Sequence, residues 1–148
     1  MKEGTEEHAI KIAEAAHFGQ FDKGCTPRVC HVIHVGNQFP KRSPERIVGY
    51  LHDVLEDSPL ISETGLFIVF GGKISEAVFA ITRQKDEVYF DYIRRCRLNR
   101  LARVVKMEDI KHNLDRARWP DMPDSYLQRE NKALWLLDEF RDSEEPKK

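Results

Sequence analysis

Apolar residues recur along this chain at intervals of three and four, the period of helices that bury one face. From Glu6 to Gly19 the inward positions are Ile10, Ala13 and His17. Gly19, Gly24 and Pro27 then mark a loop. A second helix is predicted from about Pro27 to Gln38, with proline at an early position where its missing N–H costs nothing. Ser43-Pro44-Glu45 is a start signal, and Ile47, Val48, Leu51, Val54 and Leu55 follow at helical spacing. The third helix is therefore predicted to run as one core helix up to Asp57-Ser58-Pro59. Four more helices are predicted over Ser62 to Phe70, Ser75 to Arg83, Val88 to Arg97 and Leu101 to Leu114. Only Phe67 to Phe70 would also suit a strand. After a break at Pro120, Asp121 and Pro123, a last helix carries Leu127, Leu134, Leu137 and Phe140 on one stripe. The charged end, Asp142 to Lys148, is expected to fray. With no repeat or linker, the expectation over residues 1–148 is a single all-α domain of seven or eight helices.

Composition narrows the function classes. Twenty-four basic and 25 acidic side chains give a net charge of −1, which excludes a surface built for DNA or RNA and a polybasic membrane binder. The longest apolar run, Leu66 to Phe70, is far short of the roughly 20 residues a membrane span needs. Met1 to His8 is polar and lacks the apolar segment of a signal peptide, so a cytoplasmic location is expected. Cys25, Cys30 and Cys96 have neither the number nor the spacing of a disulfide framework or zinc ribbon, and are expected to be plain thiols.

The chemistry gathers on the third helix, which reads His52-Asp53-Val54-Leu55-Glu56-Asp57. Residues four apart share a helix face, so His52 is expected above Glu56 and Asp53 above Asp57 on adjoining stripes. An ion at the edge between them could take His52 and Asp53 as ligands. Further ligands must come from elsewhere: the second helix offers His31 and His34, and the seventh offers Asp109 and His112. Six basic residues and no acidic one lie from Arg94 to Lys106. Most read as solvated surface, but Lys106 lies one turn before Asp109 and reads as a phosphate contact, as does Lys23 on the glycine-containing loop. His8 reads as exposed and His17 as packed and hydrogen-bonded. Trp119, Trp135, Tyr89 and Tyr92 read as packing residues.

His52-Asp53 between apolar stretches, with an upstream histidine and a downstream aspartate, resembles the HD superfamily of metal-dependent phosphohydrolases. The chain is most similar to the hydrolase domain of the RelA/SpoT type, which removes pyrophosphate from the 3′ position of ppGpp. Four motifs carry the resemblance in order, between about residues 9 and 115. They are Ala15-Ala16-His17-Phe18-Gly19-Gln20, Cys25-Thr26-Pro27-Arg28-Val29-Cys30-His31-Val32, the complete His52 to Asp57, and Lys106, Asp109 and Asn113. The resemblance implies an HD-domain helical bundle in which His31, His52, Asp53 and Asp109 bind one metal ion. It implies Glu56 and Asp57 as the catalytic acidic pair, and Lys23 and Asn113 as substrate contacts. It favours Mn²⁺. The sequence departs from the pattern at Arg28 for a tyrosine, Val32 for a proline, and Asp22 for the arginine that lies against guanine.

Two imidazoles and two carboxylates suit Mn²⁺, Fe²⁺, Co²⁺ or Zn²⁺, with Mg²⁺ also open. Such an ion acts as a Lewis acid and acidifies bound water, and Glu56 or Asp57 could take the proton. The expected partner is a small phosphorylated nucleotide, ppGpp foremost, with no polymeric nucleic acid and no membrane; oligomeric state stays open. Two alternatives stand beside this: hydrolysis of another small phosphate compound such as a nucleoside monophosphate, and a metal- or nucleotide-binding module without turnover. The length leaves no room for a separate synthetase domain, so synthesis of ppGpp is not expected.

Overall fold

The helix starts are written in capping residues. Thr5, Ser43, Ser62 and Asn99 each accept a hydrogen bond from the backbone N–H three residues on, which satisfies one donor that a helix end leaves orphaned. The computed structural model describes residues 4–115 and 117–144, and its side chains exclude those of Asp57 and of positions 140–144. The described helices are α1 (Glu6–Ala16), α2 (Arg28–Asn37), α3 (Pro44–Leu51), α4 (Val54–Asp57), α5 (Glu63–Phe70), α6 (Gly72–Ile81), α7 (Tyr89–Cys96), α8 (Arg100–Asn113) and α9 (Asp124–Glu144). The only β pairing among the described residues is an isolated bridge between Phe21 and Pro27. The all-α expectation holds, and Phe67 to Phe70, the one candidate strand, is helical.

The third predicted helix is two. It breaks at His52 and Asp53, whose backbone (φ −62°, ψ −23° and φ −105°, ψ −1°) joins α3 to the single turn of α4. No glycine or proline causes the break. The His52 Nδ1 lies 2.6 Å from the carbonyl oxygen of Gly49 and donates to it. That carbonyl is the one a continuous helix would offer to the Asp53 N–H, so the side chain displaces the backbone bond. The expectation that His52 stacks above Glu56 on one continuous helix is therefore corrected. Other boundaries move as well, and α1 ends at Ala16 rather than Gly19. Pro27 caps α2 from outside, and α6 begins three residues early, at Gly72, directly after Gly71 turns the chain out of α5. α9 runs on to Glu144, past Asp142 where fraying was expected to begin, while positions 145–148 and the Phe140 side chain lie outside the described residues.

Helix α3 is the centre of the bundle. It packs on α1, α2, α6 and α8, and its Val48 and Leu51 are fully buried. Helix α8 packs on α2, α3, α6, α7 and α9, burying Leu101, Ala102, Val105 and Ile110. Helices α2, α3 and α8 thus touch one another pairwise; α2 carries His31, α8 carries Asp109, and His52 follows directly on the end of α3. The α2–α3 crossing is set by two buried glycines: a Cβ on Gly49 would stand 2.6 Å from the Gly36 Cα, and a Cβ on Gly36 would stand 2.2 Å from the Tyr50 ring. Only bare backbone lets the two helices come this close.

Helices α6 and α7 are clipped together by Arg95. Its guanidinium binds Glu87 through Nε at 2.9 Å and NH2 at 3.0 Å, and donates to the Thr82 carbonyl at 2.8 Å. The Arg95 hydrogen bonds hold the Glu87 carboxyl down at about 2. A depressed carboxyl pKa gives stability that is present above the ordinary value of 4.5 and lost as pH falls through about 2. Glu87→Gln is expected to lower Tm by roughly 2–4 °C near neutrality, discounted for partial solvation of the pair, with the difference from wild type vanishing between about pH 4.5 and pH 2. Thermal melts across that range test it; a difference that persists undiminished at pH 2 would rule the pair out as its source.

Cys25 and Cys30 are exposed, and burial pushes the Cys96 thiol up to about 12; all three are free. Among the described residues no helix is long and apolar enough to cross a membrane.

Candidate metal centre and phosphate pocket

Where α2, α3 and α8 meet, three donor groups converge. The ligand atoms of His31, His52 and Asp109 lie within 4.8 Å of one another, and all three residues are buried. His31 Nε2 is 2.8 Å from Asp109 Oδ1, and His52 Nε2 is 3.4 Å from the same oxygen. With His52 Nδ1 donating to Gly49, its Nε2 carries the lone pair whenever the ring is neutral. That nitrogen is buried and makes no hydrogen bond. A lone pair aimed between two carboxylates and a second imidazole is what a cation would fill, so the donor set fits the divalent ion expected here.

Asp53 stands slightly apart. Its Oδ2 is 3.5 Å from His52 Nε2 and 3.5 Å from the Arg28 guanidinium. It faces the centre without joining the tight triad. The charges fit the same reading. Burial of His52 disfavours its charged form, yet Asp53 and Asp109 outweigh that and raise its pKa to about 9. Burial also works against charge on Asp109, but Lys106, His52 and the hydrogen bond from His31 hold its carboxyl well below the usual range. Two carboxylates, two imidazoles and the Lys106 ammonium thus share one buried space.

Around it lies a cavity of about 190 Å³ lined by the predicted residues Lys23, His31, Asp53, Lys106, Asp109 and Asn113. Lys106 Nζ donates to Asp109 Oδ2 at 2.8 Å, and Asn113 Nδ2 donates to Asp109 Oδ1 at 3.1 Å, so both orient the aspartate as well as face the cavity. Lys23 holds its ammonium 4.2 Å from the Tyr126 ring centre and 4.9 Å from that of Trp119. Partial burial and nearby Arg129 lower its pKa. Glu56 is exposed on α4 and is not among the residues lining the cavity, and the Asp57 side chain lies outside the described residues.

The structure adds what spacing could not show. Arg28, Arg118 and Arg129 also line the cavity. Of the run from Arg94 to Lys106 only Lys106 does; Arg94 pairs with Asp91, Arg95 with Glu87 and Arg100 with Glu45. Trp119, expected to pack, walls the cavity with Tyr126. Trp135 is 58% exposed, and His8, expected to be exposed, is half-buried with its ring 5.7 Å from that of Phe70.

Asp22 has a partner of its own. Its Oδ1 accepts from the N–H groups of Gly24 at 2.9 Å and Thr26 at 3.0 Å, and its Oδ2 binds Arg118. Arg118 also donates to the His112 carbonyl at 2.9 Å, which ties the loop to the end of α8. Gly24 packs so tightly against this strap that a Cβ there would meet the Arg118 carbonyl oxygen at 1.9 Å.

The chain is thus an all-helical bundle with a buried His/His/Asp cluster, able to hold a metal ion, at the crossing of three helices. No family model matches the chain. A solved structure of a protein described as a metazoan ortholog of SpoT that hydrolyzes ppGpp and plays a role in starvation responses matches with a TM-score of 0.72 and 21% sequence identity, over 93% of this chain and 94% of that one. That likeness is one of fold.

Proposed function

We propose that this protein is a metal-dependent phosphohydrolase of a small phosphorylated nucleotide, acting on ppGpp or a close relative of it to release pyrophosphate from the 3′ position. The observation that carries this reading is the convergence of His31, His52 and Asp109, with His31, Asp53 and Asp109 lining a cavity otherwise rich in cations. His31, His52 and Asp109 would hold the ion, with Asp53 as the fourth ligand. Bound there, a divalent ion such as Mn²⁺ would supply Lewis-acid polarisation and a more acidic water. The chain's own residues supply the rest. Lys106, Arg28 and Lys23 face the cavity from different elements and would offset charge on the phosphate oxygens. Asn113 holds Asp109 in place and offers a contact to the substrate. Trp119 and Tyr126 provide flat apolar walls suited to a nucleobase. Proton transfer falls to Glu56 and Asp57, on the turn directly following Asp53.

The test is a metal-free preparation reloaded with Mn²⁺ and given a nucleotide panel that includes ppGpp and non-guanine analogues. Pyrophosphate release from ppGpp that stops on chelation is expected. Orthophosphate from a nucleoside monophosphate would replace this substrate with the alternative one, and nucleotide binding without any product under any divalent ion would overturn the enzymatic reading. Glu56→Gln and Asp57→Asn are expected to cut turnover by a factor of 10² or more with metal still bound. Full turnover in both would remove them from proton transfer.

A further inference from the structure

His112 is absorbed neither by the ligand set nor by the phosphate contacts, yet it touches a ligand directly. Its Nδ1 lies 2.7 Å from the Nδ1 of His31, on the side of that ring away from Asp109. The two rings are nearly parallel, 9° apart with centres at 5.0 Å. On its other side His112 stacks on His34, with centres at 3.7 Å and planes 13° apart. His112 is thus wedged between the buried ligand of α2 and an exposed histidine one turn further along the same helix. Its own backbone is held too, since its carbonyl accepts from Arg118.

A contact between two ring nitrogens at this distance needs one N–H and one lone pair. If His31 offers Nε2 to an ion, that nitrogen has no proton, and in the neutral ring the proton sits on Nδ1. The group placed to accept it is the His112 Nδ1. The acceptor behind a metal-bound imidazole fixes its tautomer and ring angle, and losing such a partner typically weakens metal binding about 10- to 100-fold. In most such pairs a carboxylate or a backbone carbonyl takes this place; here it is a second, neutral imidazole, itself clamped by stacking.

We infer that His112 is a positioning residue: it accepts the His31 Nδ1 proton and so presents His31 Nε2 to the ion. This rests on the metal-centre reading above, though not on the identity of the substrate. Two substitutions separate the hydrogen bond from the stack. His112→Phe keeps an aromatic ring against His34 but has no acceptor. His112→Asn loses the ring but carries an oxygen near the place of Nδ1. Titration of the metal-free proteins with Mn²⁺ by calorimetry is expected to show His112→Phe weakened about 10- to 100-fold and His112→Asn much closer to wild type. Tight binding by His112→Phe, or equal loss in both variants, would overturn the inference. A second measurement needs no variant. In the wild-type protein loaded with diamagnetic Zn²⁺, nitrogen-15 NMR of His31 should show a protonated Nδ1 and a metal-bound Nε2. The opposite assignment would overturn the inference even if neither variant folds. Wild-type protein that binds neither ion would instead remove the metal-centre reading itself, which keeps the two failures distinct.

Discussion

Asp109→Ala is expected to abolish Mn²⁺ binding and turnover, and to cost about 3–5 kcal/mol of stability before any metal is added. The carboxylate is nearly buried and serves four groups at once: His31, His52, Lys106 and Asn113. Removing it strands the Lys106 ammonium, whose pKa Asp109 holds well up against the pull of burial. Unpaired buried charge is among the most destabilising lesions a point change can make. Denaturant unfolding of the metal-free protein measures the stability loss, and calorimetric titration measures the ion. Because the cost lies chiefly in the orphaned ammonium, adding Lys106→Met to Asp109→Ala should recover part of the stability without recovering metal binding. An Asp109→Ala protein as stable as wild type would show that the network does not hold the core as described.

Gly49→Ala should come second in effect, with Gly36→Ala beside it. In an open helix either change would stabilise by about 1 kcal/mol. Here the sign reverses, because the new methyl from Gly49 meets the Gly36 backbone at 2.6 Å and the new methyl from Gly36 meets the Tyr50 ring at 2.2 Å. Backbone against backbone has no rotamer to yield, so the helices must separate. The expected loss is about 2–3 kcal/mol for Gly49→Ala, the upper end of overpacking, and rather less for Gly36→Ala, where the Tyr50 ring can give a little. Separation also carries His31 away from His52, and Gly49 supplies the carbonyl that fixes the His52 ring. Metal affinity should therefore fall together with Tm. Gly49→Ala with unchanged Tm and unchanged affinity would refute this account of the crossing.

Much of this was legible in the sequence because it rests on local patterns. The three-four spacing locates most of the helices, with the Ser43 cap marking one start, and His31, His52 and Asp109, which the motifs single out, lie together in the fold. The break at His52 was hidden, because Leu51, Val54 and Leu55 keep helical spacing straight through it. What breaks the helix is a side-chain hydrogen bond, and spacing does not register that. Arg28, Arg118 and Arg129 were hidden for another reason. Arg28 stands out only as a departure from a motif and the other two not at all, and each becomes part of the pocket only through packing of distant segments. The basic run from Arg94 to Lys106 misled in the opposite direction. It is continuous in sequence, but it spans the end of α7, the connection and the start of α8, so only Lys106 lines the cavity.

The clasp between Asp22 and Arg118 constrains how this pocket could change over time. The two positions are 96 residues apart in sequence and joined by one ion pair. An arginine placed at 22 would set two guanidinium groups against each other and release the loop amides of Gly24 and Thr26 that the carboxylate now holds. Neither residue can therefore change alone without breaking the ion pair or freeing the loop. Lineages of this protein would have to exchange the two together, or pass through an ancestor in which Arg118 had already given way.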